Sequence, residues 1–326
     1  MEKNAGIYVA GHTGLAGSAI ARRLGAGGYS KIITRTHGEL DLTDAAATRR
    51  LFEIERPEYV FLAAAKVGGI YANNTFPATF IHDNLAIQTN VIHEAWRAGV
   101  KRLLFLGSSC IYPRNWPQPM REEYLLTGPL EPTNRAYALA KIAGIEMCWS
   151  YNRQHGTRFL SVMPTNLYGE SDNYDPQNSH VIPALIRKMH EAKVTAAPEV
   201  VVWGTGTPRR EFLFADDMAD GCVFLMELND TAFSAMTGST ADAPLINLGC
   251  GQDQTIRELA NLIAEVVGYQ GKLRFDHSKP DGTPQKLLDT GKIGRLGWRA
   301  RTTLHDGLER AYAAFKRERL SPAAQD

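Results

Sequence analysis

A short apolar run that ends in three evenly spaced glycines constrains the fold of this chain more than any other feature. Ile7 to Ala10 reads as a buried strand, and Gly11, Gly14 and Gly17 follow it directly as G-x-x-G-x-x-G, opening a helical pattern from Leu15 to Leu24. A strand, a tight turn and a helix in that order aim backbone N–H groups and the positive end of a helix dipole at one spot, which suits a pyrophosphate. Glycines at this spacing also let a helix pack closely on a strand with no ligand present, so the context decides. That context is a repeated alternation of β-rich runs with helical ones: Lys31 to Thr34 then Ala45 to Glu55, Tyr59 to Ala63 then Ala78 to Ala98, Arg102 to Gly107 then Tyr137 to Gln154, and Phe159 to Pro164. Alternation of this kind builds βαβ units around a parallel sheet. The expected class is α/β, a doubly wound parallel sheet of Rossmann type.

From about Leu167 the rhythm loosens into long Gly/Pro/Asn-rich connections (YGESDNYDPQNSH, WGTGTPRR, KPDGTPQ) between helical patterns at Val181 to Ala192, Asp217 to Glu227, Ile256 to Val267 and Leu304 to Phe315. Long connections inside a compact chain usually carry function. Residues 1–165 therefore read as a dinucleotide-binding domain and 166–326 mainly as a smaller α/β substrate domain, some of whose elements return to the first. Asn229 to Ala243 reads as a surface loop. With 36 Lys plus Arg against 35 Asp plus Glu in 326 residues, a net charge of +1 gives no reason to expect nucleic acid or an acidic membrane as partner. No run of 18 apolar residues occurs, and the start lacks the apolar core of a secretory signal, so a cytoplasmic location is the expectation. Four widely spread cysteines without a C-x-x-C pair argue against a metal site and against a disulfide framework.

The end of the second strand discriminates between dinucleotides. An acidic side chain there binds a ribose 2′-hydroxyl, whereas a basic one accommodates a 2′-phosphate. Here Thr34, Arg35, Thr36 and His37 hold the position with no carboxylate before Glu39, which favours NADP(H); Arg35 as a solvated loop cation is the alternative, because Asp41 lies near enough to reach the adenosine. Ala63, Ala64 and Ala65 end the third strand in small side chains, which admits the adenosine half of a cofactor but is equally an ordinary feature of a core.

Tyr137 and Lys141 stand at i and i+4 on one helix face. A lysine ammonium beside a phenol stabilises the phenolate and moves its pKa from about 10 toward neutral, where it can exchange a proton with a carbonyl oxygen. Any amphipathic helix bearing Tyr and Lys would look alike. Ser108 and Cys110 follow the fourth strand at its carboxyl end, where α/β sheets bind ligands, and share a face if the chain stays extended. A dehydrogenase has no need of a thiol, so Cys110 suggests proton abstraction beside a carbonyl, the alternative being an inert buried thiol.

The segments GHTGLAGSAI, LAAAKVGGIYANN, GSSCIYP, EPTNRAYALAKIAGIEMC, SVMPTNLYG, NSHVIPALIRKMHEA, VVVWGTGTPRREFL and SKPDGTPQKLLD closely resemble the GDP-L-fucose synthase family of extended short-chain dehydrogenase/reductases, from the first strand to about residue 310. The resemblance implies 3,5-epimerisation and then NADPH-dependent 4-reduction of GDP-4-keto-6-deoxy-D-mannose. It assigns Cys110 as base, His180 as the acid on the opposite face, and Ser108 and Tyr137 as donors to the keto oxygen, with Lys141 also holding the nicotinamide ribose. Carried over position by position, the cofactor contacts comprise Gly11, His12, Thr13, Gly14, Leu15, Ala16 and Gly17; Arg35, His37, Asp41 and Leu42; Ala63, Ala64 and Ala65; Leu106 and Gly107; Lys141; Pro164, Thr165, Asn166 and Leu167; and His180. GDP contacts fall on Lys188, Trp203, Arg210 and Asp281, and Arg209 beside Arg210 reads as a joint cationic site for the diphosphate. Two long helices, Ala78 to Ala98 and Tyr137 to Gln154, resemble the pair that forms the family's homodimer interface.

The chain departs from some relatives in having Thr13 and His37 where they carry arginine, and Gln285 where they carry a basic residue. Competing readings are a related nucleotide-sugar reductase or 4-epimerase, which would not need Cys110 with His180, and a non-catalytic dinucleotide-binding protein, which would not need Ser108, Tyr137 and Lys141.

Overall fold

The computed structural model describes residues 1–175, 179–279 and 281–320. Its strands are β1 (Ile7–Ala10), β2 (Ile32–Ile33), β3 (Tyr59–Leu62), β4 (Arg102–Leu106), β5 (Phe159–Pro164), β6 (Asn166–Tyr168), β7 (Glu199–Trp203), β8 (Arg209–Phe214), β9 (Leu245–Leu248), β10 (Asp253–Thr255), β11 (Lys272–Asp276) and β12 (Gln285–Lys286). Its α-helices are α1 (Leu15–Ala26), α2 (Ala45–Glu55), α3 (Ile70–Thr75), α4 (Pro77–Arg97), α5 (Arg135–His155), α6 (Val181–Val194), α7 (Ala215–Glu227), α8 (Asp230–Thr237), α9 (Ile256–Val267), α10 (Gly291–Arg295) and α11 (Leu304–Leu320).

Six strands form one parallel sheet in the order β2-β1-β3-β4-β5-β9. β1, β3, β4, β5 and β9 are buried along their whole length, as expected of strands covered on both faces. One face packs on α1, α7 and Phe233 of α8, the other on α2, α4 and α5. The strand order reverses between β1 and β3, so the connections diverge there and leave a crevice at the carboxyl ends of the strands.

A second core joins α6, α9 and α11 to β7 and β8, with Met189, Ile263 and Phe315 among its buried members. β8 lies between β10 and β12, and β6 also pairs with it. β6 follows β5 after one residue, so the loop at Thr165 passes straight from one core to the other.

The stretch Asn229 to Ala243 is not simply a loop. Asn229 caps a helix, accepting from Ala232 N–H at 2.9 Å, and Phe233 within it is fully buried with the Arg102 guanidinium 4.2 Å from its ring. Two turns with one buried aromatic leave little apolar periodicity to read. Among the described residues no helix is long and apolar enough to cross a membrane.

Candidate active site

The glycine turn has the geometry that its spacing predicts. Gly11 lies at φ +85°, where a Cβ would stand 2.7 Å from the Ala64 backbone; a Cβ on Gly17 would stand 2.1 Å from the Gly11 carbonyl oxygen. Only glycine lets β1, the β3 end and α1 approach so closely. Gly14, the N-cap of α1, supplies no side-chain acceptor, and the first turn carries no acidic residue, so its amides and dipole face the crevice. His12 Nδ1 in the same turn is buried without a hydrogen-bond partner. This donor-rich, acid-free cradle fits a dinucleotide pyrophosphate. Ala63, Ala64 and Ala65 are half-buried beside it.

At the far end of that crevice, Arg35 is ion-paired with Glu55 and donates to the Thr34 carbonyl at 2.7 Å. His37 is exposed, with Nδ1 4.0 Å from Asp41. Asp41 turns its carboxylate onto Thr43, accepting from the amide at 2.9 Å and the hydroxyl at 2.8 Å, while Leu42 is buried.

The reacting centre is assembled where α5 crosses the carboxyl end of β4. A Cβ on Gly144 would stand 2.4 Å from the Phe105 ring, so this glycine lets α5 lie close on the strand, and Gln88 of α4 pins it by donating to the Ala140 carbonyl at 2.6 Å. Lys141, buried, donates to the Leu106 carbonyl at 2.8 Å and has its Nζ 5.8 Å from the Tyr137 ring centroid. The Tyr137 ring meets Phe80 edge-on, with 6.3 Å between centroids.

Ser108 and Cys110 do not lie on one extended face. Ser109–Ile111 form a single 3-10 turn, and the Ser108 hydroxyl accepts from the Cys110 amide at 3.5 Å. The two still converge on one cluster, because Ser108 pulls down the titration of both the Cys110 thiol and the Tyr137 hydroxyl, and Cys110 acts electrostatically on Tyr137 and Lys141.

Burial dominates the titration of this cluster. It pushes the Cys110 thiol up, with Ser108, Lys286 and Lys141 pulling it back. It raises Tyr137 well above the ordinary phenol value, Cys110 adding to the effect, so Tyr137 is a protonated donor at neutral pH rather than a phenolate held by Lys141. Lys141 is pulled down to about 8 by the same desolvation. His180 stands immediately before α6 and makes no side-chain cap to it. Desolvation lowers its imidazole pKa although the residue is exposed. Among the described residues no hydrogen bond joins His180 to Cys110.

On the opposite side, Trp203 is 61% exposed, with the Lys188 ammonium 4.9 Å and the Lys279 ammonium 5.4 Å from its ring. Arg210 donates to the Arg209 carbonyl at 2.8 Å and reaches the Asp281 carbonyl at 3.4 Å. The Asp281 carboxylate is occupied in holding a turn, accepting from the Thr205 amide at 2.7 Å and hydroxyl at 2.8 Å. Arg209 does not join Arg210. Successive strand residues face opposite ways, and Arg209 is bound by Asp253 at 2.8 Å, which also accepts from Gln285 at 2.5 Å. The second cation beside Arg210 is instead Lys286, paired with it in register across β8 and β12 and electrostatically coupled to both Arg210 and Cys110. Motif reading passed it over although it sits inside SKPDGTPQKLLD, because the contact depends on register between strands more than 70 positions apart.

The profile of the NAD dependent epimerase/dehydratase family matches residues 7–235. The chain belongs to this family. GDP-L-fucose synthase 1 of Arabidopsis thaliana is 58% identical over 311 residues, 95% of this chain and 93% of its own length. GDP-L-fucose synthase of Escherichia coli (strain K12) is 55% identical over 309 residues, 95% and 96% of the two chains. A GDP-mannoheptose C4 reductase from Campylobacter jejuni, solved with NADP bound, matches with a TM-score of 0.89 at 40% identity, covering 97% of this chain and 99% of that one. The span matched to the epimerase/dehydratase family takes in the glycine turn and all five catalytic candidates; Asp281 and Lys286 lie beyond it.

Proposed function

We propose that this chain is a GDP-L-fucose synthase, which epimerises GDP-4-keto-6-deoxy-D-mannose at C3 and C5 and then reduces C4 with NADPH. The observation that carries this reading is the coupling of a buried thiol, Cys110, with Ser108, Tyr137 and Lys141 at the end of β4. Simple carbonyl reduction has no use for that thiol. Identities of 58% and 55% to named GDP-L-fucose synthases along 95% of the chain support the same substrate.

A C4 ketone acidifies the hydrogens on both neighbouring carbons, so one carbonyl serves both halves of the reaction. Ser108 and Tyr137 donate to its oxygen and stabilise the enolate formed as Cys110 removes a proton. His180 returns a proton from the other face. When bound, the cofactor supplies a hydride to C4. Tyr137 then gives its proton to the C4 oxygen, a role that suits a phenol whose pKa is raised. Lys141 binds the nicotinamide ribose and holds Tyr137 in place.

In the same reading the glycine turn holds the pyrophosphate, Arg35 and His37 meet a 2′-phosphate, and Pro164, Thr165, Asn166 and Leu167 line the nicotinamide end with Leu106 and Gly107. Lys188, Trp203, Arg210 and Asp281 form the GDP side. Residues 1–165 serve the dinucleotide and 166–326 mainly the substrate, and α4 with α5 forms a homodimer face. Four free cysteines accord with a reducing compartment such as the cytoplasm.

The decisive experiment incubates the protein with GDP-4-keto-6-deoxy-D-mannose and NADPH in deuterated water. GDP-L-fucose carrying deuterium at C3 and C5 is the expected product. A reduced product without deuterium at those carbons would leave a reductase and remove the epimerase.

A further inference from the structure

The turn that carries Cys110 is held at both ends. Ahead of it, Gly107 N–H donates to the Val162 carbonyl of β5 at 2.9 Å. Behind it, Tyr112 closes the 3-10 turn, its N–H reaching the Ser109 carbonyl at 3.5 Å, and its buried hydroxyl donates to Asn247 Oδ1 of β9 at 2.5 Å. Cys110 thus sits between a strand end and a side-chain anchor only two residues further on.

Asn247 is fully buried, and every polar atom of its side chain is engaged. Oδ1 accepts from Tyr112, while Nδ2 donates to the Met120 carbonyl at 2.9 Å and to the Asp289 carbonyl at 3.2 Å. Two carbonyls on one side and a hydroxyl on the other fix which way the amide points. Its backbone N–H donates to the buried Glu122 carboxylate at 2.9 Å. The segments it bridges are themselves paired, Asp289 N–H donating to the Met120 carbonyl at 2.8 Å and Met120 N–H to the Leu287 carbonyl at 2.8 Å. Leu287 directly follows β12, which lies in register with Arg210 of β8. One side chain therefore ties the thiol turn to the frame that carries Arg210. Tyr137 and Lys141 are placed differently, by α5 through the Leu106 carbonyl and through Gln88, bonds in which Asn247 and Tyr112 take no part.

We propose that Asn247 is a positioning residue for epimerisation: through Tyr112 it sets where the Cys110 thiol stands relative to C3 and C5 of a sugar whose diphosphate is held from β8. This rests on the GDP-L-fucose synthase reading. The substrate fixes the distance from its diphosphate to both carbons, so one base serving the two must be held against the same frame as the diphosphate contact. Misplacing a reacting group by about 1 Å costs up to about a hundredfold in rate. Hydride transfer at C4, served from α5, is spared.

The test compares two rates in Tyr112→Phe, which keeps the ring and removes only the hydroxyl. Deuterium exchange at C3 and C5 of GDP-4-keto-6-deoxy-D-mannose, measured with NADP+ so that no reduction follows, should fall about tenfold per NADP+-binding site. Oxidation of GDP-L-fucose by NADP+ takes a hydride from C4 and needs no proton transfer at C3 or C5. Single-turnover transfer of deuterium from its labelled C4 to NADP+ should stay within about twofold of the parent. Asn247→Ser, too short to reach the Tyr112 hydroxyl, should show the same split and stands in if the first variant does not fold. Exchange that is unmoved, or that falls in step with transfer from C4, overturns the proposal. A parent protein that exchanges no deuterium refutes the functional reading, and the proposal falls with it.

Discussion

The Lys141 ammonium is bound to the Leu106 carbonyl oxygen at 2.8 Å, tying the middle of α5 to the end of β4 in the interior. That bond sets how far Tyr137, one turn earlier, projects past the strand. Burial lowers Lys141 to about 8, Cys110 opposing the shift. The carbonyl reduction rate should therefore fall as pH rises through about 8, where the ammonium is lost. Lys141→Met should be slower by about a hundredfold or more below that pH, and the gap should narrow as the parent loses its proton. Stability carries the opposite sign. Because 8 lies below the ordinary lysine value of 10.5, the unfolded chain binds the extra proton between those values. The parent should thus gain stability with rising pH in that window, and Lys141→Met should lack that gain in denaturant titrations.

Tyr137→Phe separates the two half-reactions. It removes the proton donor for reduction but leaves Cys110 and the Ser108 hydroxyl in the cluster. Reduction should drop by about three orders of magnitude. Deuterium exchange at C3 and C5 should fall less, since Ser108 still donates to the enolate oxygen. Equal losses in both assays would mean that Tyr137 carries the enolate alone.

Arg35 reaches the cofactor crevice already paired with Glu55. A charge-assisted hydrogen bond contributes roughly 1.5–3 kcal/mol, so Arg35→Ala should reduce the ratio of kcat/KM for NADPH over NADH by about tenfold or more. Glu55→Gln frees the guanidinium and should raise the same ratio. A ratio unmoved by both substitutions would assign the 2′-phosphate to other groups, with exposed His37 the next to test.

The sheet and the glycine turn were legible because their signals are local. Buried strands read as short apolar runs, and Ile256–Val267 could be read to its ends because Thr255 and Glu258 form a capping box and Gly268 closes the helix. Tyr137 and Lys141 needed only helical spacing. The rest depended on contacts between distant segments. Ser108 and Cys110 meet through one 3-10 turn, too short for any period. Arg209 and Arg210 are neighbours in sequence but belong to opposite faces, which becomes apparent only once Asp253 takes one of them. Lys286 enters the site by strand register alone.

Glu211 joins the two cores and tests how the site is held. It is fully buried, and its carboxylate accepts from Gly251 N–H at 2.7 Å and Leu288 N–H at 2.9 Å, two segments far apart in the chain. Its backbone oxygen receives the Thr165 hydroxyl at 3.2 Å and the Asn166 amide at 2.8 Å. Burial drives the carboxyl pKa up, and these N–H groups draw it down. Glu211→Ala strands both N–H donors at about 1–3 kcal/mol each, so a loss of about 3 kcal/mol in urea unfolding is expected. Glu211→Gln keeps one acceptor oxygen and should lose about half of that. Because Arg210 precedes Glu211 on β8 and Lys286 lies two residues before Leu288, Glu211→Gln should also raise the KM for the GDP-sugar more than it lowers kcat. A folded Glu211→Gln protein with unchanged KM would show that β8 and β12 hold their register without the carboxylate.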